Sequence, residues 1–394
     1  MSKPLMVLSV IAVASCTPAG FASNPANSVP SSRIVPAVAR PSHVKYESVY
    51  SFEAGTDGAG PFGALTSASG ALYGTTYLGG SDEYDGTVYK ITTSGAESVI
   101  YRFEGGSDGA RPFDGLLNVN GTLYGTTQEG GPSDNGTVFK ITPGGKETVL
   151  YSFKGGSDGE YPRASPAELK GALYGTTYFG GSAEDGTVFE VKSGKERVLY
   201  SFHGGTDGAR PFAGLIGVGN TLYGTTSQGG SANDGTVFSV SVSGHERVVH
   251  TFSGGRSDGA TPYAALISVN GTLYGTTRSG GARNDGTVFR LTASGKESIL
   301  YSFEGGDDGS TPDAPLLEVS GALYGTTRLG GSKNLGTVFK MTTEGSESVL
   351  HSFEGGLADG FGPFAGLTVF NGVLYGTTPW GGTYKRGTVY EVTL

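Results

Sequence analysis

Leu72-Tyr73-Gly74-Thr75-Thr76 is the first of seven copies of one pentapeptide; the others begin at Leu123, Leu173, Leu222, Leu273, Leu323 and Leu374, so successive copies stand 51, 50, 49, 51, 50 and 51 residues apart. A chain that repeats at such a period is an array of units, none of which buries its apolar face alone, and ~50 residues is the length of a propeller blade. Four strand signals recur around each copy, labelled here D, A, B and C in chain order. Residues 297–303 (ESILYSF) are a β-branched and aromatic run, strand D. The loop Gly305-Gly306-Asp307-Asp308-Gly309, closed by Pro312, leads to strand A at 316–319. The two-residue turn Ser320-Gly321, like Asn270-Gly271 one repeat earlier, sends the chain into a tight hairpin with strand B, the pentapeptide itself. A second Gly-rich loop, 330–336, leads to strand C at 337–341. Four antiparallel strands per ~50 residues make a β-propeller blade.

The two ends of the array complement each other. Residues 387–394 are a strand C with no D after it, and 47–52 are a strand D with no blade before it. Pairing them completes seven blades and removes both exposed sheet edges. An open solenoid, the alternative, needs terminal units with a polar outer face, and here the first and last repeats are as apolar as the middle ones. The expected fold is therefore all-β: a seven-bladed β-propeller over 44–394, four antiparallel strands per blade, with the N-terminal strand closing the last blade.

Composition suits that fold, with 70 Gly and 18 Pro for turns and 20 Phe and 21 Tyr for a β core. A formal net charge of -9 provides no basic stripe, which excludes nucleic acid as a partner. The single Cys, Cys16, rules out an intrachain disulfide and a cysteine zinc site. No metal-ligand spacing, phosphate loop or Ser nucleophile motif is present, so no cofactor is expected. Residues 1–16 read as an export signal, with Lys3 and an apolar run over 5–13 too short to span a bilayer. Val13-Ala14-Ser15-Cys16 resembles a bacterial lipobox, in which Cys16 becomes the lipidated first residue; an ordinary leader cut after Ala22 is the alternative. Residues 17–43, rich in Ala, Ser, Pro and Asn, read as a flexible tether. The expectation is a monomer that meets a membrane only through its lipid, at the outer membrane or cell surface, or else periplasmic or secreted.

The run F-x-G-G-x-D-G-x-x-P-F, then L-Y-G-T-T-x-x-G-G, then G-T-V-F resembles the GloVer (Gloeo/Verruco) tandem repeats of exported bacterial proteins, over residues 47–394. The resemblance implies a β-propeller-like fold and an exported location, and no particular reaction. Many such proteins carry a C-terminal sorting segment; none is evident here, so anchoring is expected to fall to Cys16.

Alternating strand direction sends the D–A and B–C loops to one rim and the short hairpins to the other. The long loops carry the differences among repeats, and a position that varies on a repeated scaffold is where binding specialises. Just after the Thr-Thr of strand B stand Tyr77, Gln128, Tyr178, Ser227, Arg278, Arg328 and Pro379; at the start of strand A stand Phe62, Phe113, Arg163, Phe212, Tyr263, Asp313 and Phe364. Trp380, the one Trp, lies in the seventh B–C loop. The expected ligand-binding set is Tyr77, Gln128, Tyr178, Arg163, Arg278, Arg328, Asp313 and Trp380: arginines suit carboxylate or sulfate groups, and aromatics with polar tips suit sugars. Tyr77 and Tyr178 as covers over neighbouring blades, and the arginines as solvated charges, are the plainer readings. The recurring Phe of strand A is expected in the core.

Asp57, Asp108, Asp158, Asp207, Asp258, Asp308 and Asp359, each followed by Gly, are expected to satisfy loop amides rather than to ring a central cation. His250 and His351 stand where other D strands have Tyr and read as packing variants. Catalysis has weaker carriers: His203 with Tyr161 and Arg163 is a set able to abstract a proton beside a carboxylate, by analogy with polysaccharide lyases on propeller folds. The expected function is binding of a glycan or other surface polymer at the long-loop rim. A polysaccharide lyase or hydrolase on that rim, and a protein–protein scaffold in the envelope, are the alternatives.

Overall fold

The structure, a computed structural model, describes residues 44–81, 83–292 and 295–393. The expected export signal, Cys16 and the 17–43 tether lie outside the described residues. Seven four-stranded sheets, each ordered A-B-C-D, form the ring. Blade 1 takes Thr66–Ala68, Ala71–Thr76, Thr87–Ile91 and Glu97–Arg102 as A, B, C and D. Strand A of one blade lies beside strand A of the next: Thr66 Oγ1 donates to the Leu116 carbonyl, and Asn118 Nδ2 to that of Ser67 (2.8 Å). The last blade is closed by the N-terminal strand, Lys45–Ser51, which pairs antiparallel with Thr388–Thr393, Lys45 opposite Thr393 and Ser51 opposite Thr388.

The pentapeptide recurs because each residue has a structural task that every junction repeats. Its Leu is buried. Its Gly leaves room for the aromatic ring of strand C: a Cβ on Gly125 would lie 2.6 Å from Phe139 Cζ, closer than real atoms approach. The first Thr donates its hydroxyl to a carbonyl just ahead of strand A in the next blade, in all seven cases; Thr377 to the Gly63 carbonyl (3.0 Å) makes the seam. The second Thr shares a proton with the first Thr of strand C at 2.7–2.8 Å. Buried hydroxyls paired in this way avoid the cost of an unsatisfied polar group.

The core lies between blades. The Phe that follows each strand D (Phe52, Phe103, Phe153, Phe202, Phe252, Phe303, Phe353) is fully buried. Each meets the strand C aromatic of the next blade edge to face, with centroids 4.9–5.3 Å apart. Phe52 does for the closing blade what its six counterparts do elsewhere, so the seam is as well packed as any other junction.

Candidate functional site

Both long loops share one rim, as isolated β-bridges between them show: Ala59 with Leu78, Ala110 with Glu129, Glu160 with Phe179. At that rim the seven side chains that begin strand A converge on the axis. Phe62 stacks on Phe113 (5.2 Å) and Phe212 on Tyr263 (4.6 Å). Phe364 meets Phe62, Phe113 and Phe212 edge-on at 5.9, 5.6 and 6.0 Å. Blades 4 and 7, which supply Phe212 and Phe364, are far apart in the ring, so their contact spans the axis. These rings do pack, as expected, yet on one another, as a plug in the central channel. A cavity of ≈ 60 Å³ within the plug is lined by these rings together with Arg163 and Asp313. Further along strand A the channel widens to ≈ 410 Å³, bordered by Thr66, Asp114, Ser165 and Glu168 among others.

Arg163 and Asp313 interrupt the aromatic ring with opposite charges. The Asp313 carboxylate, 3 % exposed, lies between Arg278 Nε (3.7 Å) and Arg328 Nε (3.2 Å). Burial pushes its pKa up to about 6 against the pull of both arginines. Arg278 also stands over the Tyr263 ring at 4.7 Å. Arg163 stands over Tyr178 (4.1 Å) and Phe212 (5.3 Å), and burial lowers its pKa. Its buried Nε has no hydrogen-bond partner, and among the described residues no carboxylate forms an ion pair with it. The mouth thus gathers three guanidinium groups around one carboxylate, which pairs with only two of them.

The other expected site residues differ in access. Tyr77 (7 % exposed) and Gln128 are buried; Tyr77 braces Phe62 and Phe113 edge-on at 5.7 and 5.8 Å, which matches the covering role. Tyr178 is half-buried beneath Arg163. Trp380, 37 % exposed, abuts Phe62 edge-on (5.6 Å) and stacks over Phe361 (6.0 Å), so it links the plug to open surface. Sequence reading missed the exposed Tyr84, Leu357 and Tyr384, in loops of the first and last blades. Thr383 Oγ1 donates to the Leu357 carbonyl (3.3 Å), tying two of those loops together. The signal was present: Tyr384 stands where other repeats place Ser133, Ala183 or Lys333.

His203 is largely exposed, with Nδ1 3.4 Å from Asp207 and Nε2 3.3 Å from the Ser182 hydroxyl. Tyr161 rests edge-on against Phe179 (5.9 Å). Among the described residues no hydrogen bond, ion pair or ring contact joins His203 to Tyr161 or Arg163, so the structure does not bring that trio together.

The Asp-Gly carboxylates sit at blade junctions, not around a central cation. Asp57, Asp108, Asp158, Asp207 and Asp308 accept from Tyr50, Tyr101, Tyr151, Tyr200 and Tyr301 at 2.6–2.9 Å. Each also accepts a loop amide, such as Glu53 N–H to Asp57 (2.7 Å), as expected. His250 and His351 take the tyrosine's place beside Asp258 (3.5 Å) and Asp359 (3.2 Å). From strand D of the following blade comes a half-buried Glu (Glu97, Glu147, Glu196, Glu246, Glu297 or Glu347) whose Oε1 is buried without a partner. Burial first, then the adjacent Asp, pushes the pKa up to about 7 for Glu97, Glu147, Glu246 and Glu297 and to about 8 for Glu196 and Glu347. These Glu carboxyls therefore titrate near neutral pH, well above an ordinary carboxylate. At the remaining junction Tyr46 replaces Glu: its O–H donates to Asp359 Oδ1 (2.5 Å) and its ring stacks on His351 (3.7 Å). His250, Asp258 and Glu297 also place one ligand atom each within 4.8 Å of one another. That trio is the recurring Tyr–Asp–Glu junction with His in the tyrosine's place.

A family model described as the Gloeobacter/Verrucomicrobia repeat matches residues 38–177 and 224–394. No curated protein matches the sequence. Among solved structures, a puromycin hydrolase is similar at 12% identity and a TM-score of 0.50, covering 81% of this chain and 50% of its own. A puromycin-hydrolyzing peptidase of Mycobacterium tuberculosis gives 11% identity and 0.50, covering 82% and 53%. XC5397 from Xanthomonas campestris, described as a gluconolactonase important in glucose secondary metabolic pathways, gives 13% and 0.46, covering 91% and 92%. The chain spans about half the length of the two puromycin-hydrolysing proteins. At these identities the likeness is one of fold alone.

Proposed function

The chain belongs to the Gloeobacter/Verrucomicrobia repeat family, and from that premise we propose that it is an exported, lipid-anchored propeller whose long-loop rim binds a carbohydrate or another surface polymer. The observation that carries this reading is where the sevenfold repetition breaks. Junction residues recur around the ring, whereas the axial mouth and the loops beside it vary, and they gather Trp380, Tyr384, Tyr84 and three arginines on one face. Exposed aromatics offer flat apolar faces to sugar rings, and guanidinium groups offer forked donors to their acidic substituents. The N-terminal residues 1–16 supply the case for export, and Cys16 for the anchor. Binding is favoured over catalysis because His203 meets neither Tyr161 nor Arg163. A glycan array probed with wild type and with the Trp380→Ala/Tyr384→Ala double variant tests the reading. Loss of every wild-type signal in the variant, with an unchanged melt, supports the rim. Signals that survive there but vanish in Lys146→Ala, on the opposite rim, refute it.

A further inference from the structure

We propose that the axial mouth takes the carboxylate of an acidic sugar unit, with Arg163 as its anchor; this deepens, and rests on, the reading of the long-loop rim as a polymer-binding face. Arg163 is a half-buried cation with no anion among the described residues paired to it. Its Nε is buried and unpartnered, and its contacts are the rings of Tyr178 and Phe212, which hold the guanidinium carbon but accept no conventional hydrogen bond. A partly buried charge without a hydrogen-bonding counter-ion is costly, and a ligand carboxylate in the cavity that Arg163 lines reduces that cost by accepting from the guanidinium. The rest of the mouth is consistent in sign. Arg278 and Arg328 divide one carboxylate, Asp313, between them, so the surroundings remain positive on a chain whose formal net charge is -9.

The lining narrows the ligand further. The cavity of ≈ 60 Å³ is set among aromatic rings with Arg163 in its lining, a place for a planar anionic substituent such as a carboxylate. The sugar ring that carries it is assigned to the open end of the plug. Trp380 is positioned there, half-exposed and 5.6 Å from Phe62, which itself lines the cavity. A uronic acid unit offers the carboxylate for Arg163, and a further unit of the same polymer offers a ring face to Trp380; a neutral polymer meets only the second.

Isothermal titration calorimetry on the full chain tests this with three probes: oligogalacturonate, the same oligomer with its carboxyls reduced to alcohols, and monomeric galacturonate. The acidic oligomer should bind on the order of 30-fold or more tightly than the reduced one, the scale of one desolvated charge pair. Arg163→Met keeps an unbranched side chain against Tyr178 and Phe212 and should abolish the preference without weakening the reduced oligomer. Arg163→Lys, which keeps the charge and loses the fork, should lose most of it and guards against a folding defect in the first variant. Equal binding of acidic and reduced oligomers overturns the inference and leaves the rim reading standing, as does a preference that survives in Arg163→Met. Absence of binding by any probe overturns the inference, while the rim reading stands or falls by the glycan array. Monomeric galacturonate binding as tightly as the oligomer, and lost in Arg163→Met, supports the carboxylate site while refuting a polymer as its ligand.

Discussion

Raising the pH from 5 to 8.5 should destabilise the propeller, because six of its blade junctions are held by a Glu that folding keeps protonated. In the unfolded chain these carboxyls titrate near the ordinary 4.5; in the fold they stand near 7 or 8. Between those values the folded state holds protons that the unfolded state has released, so the stabilisation is complete below 4.5 and is lost as pH climbs through 7 to 8. A rise of about 2.5 in pKa is worth about 3.4 kcal/mol for a sealed group. These are half-buried, with Arg102 near Glu97, Lys154 near Glu196 and His250 near Glu297 opposing the shift, and solvent screening reduces the figure to about 1 kcal/mol each. Six junctions then contribute about 6 kcal/mol, and at about 2 °C per kcal/mol for a large domain the Tm at pH 8.5 should lie about 10 °C below that at pH 5. Calorimetry in matched ionic strength reads this directly. Glu→Gln at all six positions, which keeps a donor facing each Asp, should flatten the profile, and Tyr46→Glu should steepen it by adding a seventh titrating junction. A Tm that is level or rising from pH 5 to 8.5, or a slope that persists in the six-fold Gln variant, would refute the raised Glu pKa values as its source.

Deleting residues 44–52 removes the closing strand and Phe52, so it should lower the Tm far more than deleting 24–40; equal melts would mean that the seam contributes nothing. Asp313→Ala strands Arg278 and Arg328 as uncompensated charges and should cost about 3–5 kcal/mol in urea denaturation, whereas Asp285→Ala in a surface loop should cost much less. Cys16→Ala should abolish fatty-acid labelling and leave unprocessed precursor; an unlabelled wild type beginning at Ser23 would establish an ordinary leader.

The blade was legible because its signals are local: a Gly beneath an aromatic, a Thr pair, and an Asn-Gly or Ser-Gly hairpin all announce themselves within a few residues. Closure was legible because the two ends of the array lacked complementary strands. The site was legible only as a list of varying positions. That Tyr77 is buried and Trp380 half-open depends on how seven loops crowd one axis, which no single repeat encodes. The Phe of strand A looked like core and is packed, but against its own symmetry mates. Glu97 reads as an ordinary strand end; its partner Asp57 lies 40 residues earlier and reaches it only because the D–A loop crosses to the next blade. His203 was grouped with Tyr161 and Arg163 by chain position, and the fold turns it outward.

The seam also bears on how such a protein changes over generations. Because each repeat supplies the outer strand of one blade and the three inner strands of the next, excising one genetic unit, for example 97–146, would leave no broken sheet: the outer strand at Glu147–Ser152 would take the place of the one at Glu97–Arg102. Blade number is thus free to drift at the perimeter. What counts the blades is the axis, where seven side chains fill a single mouth and a sixth-order ring would have to find a new way to shut it.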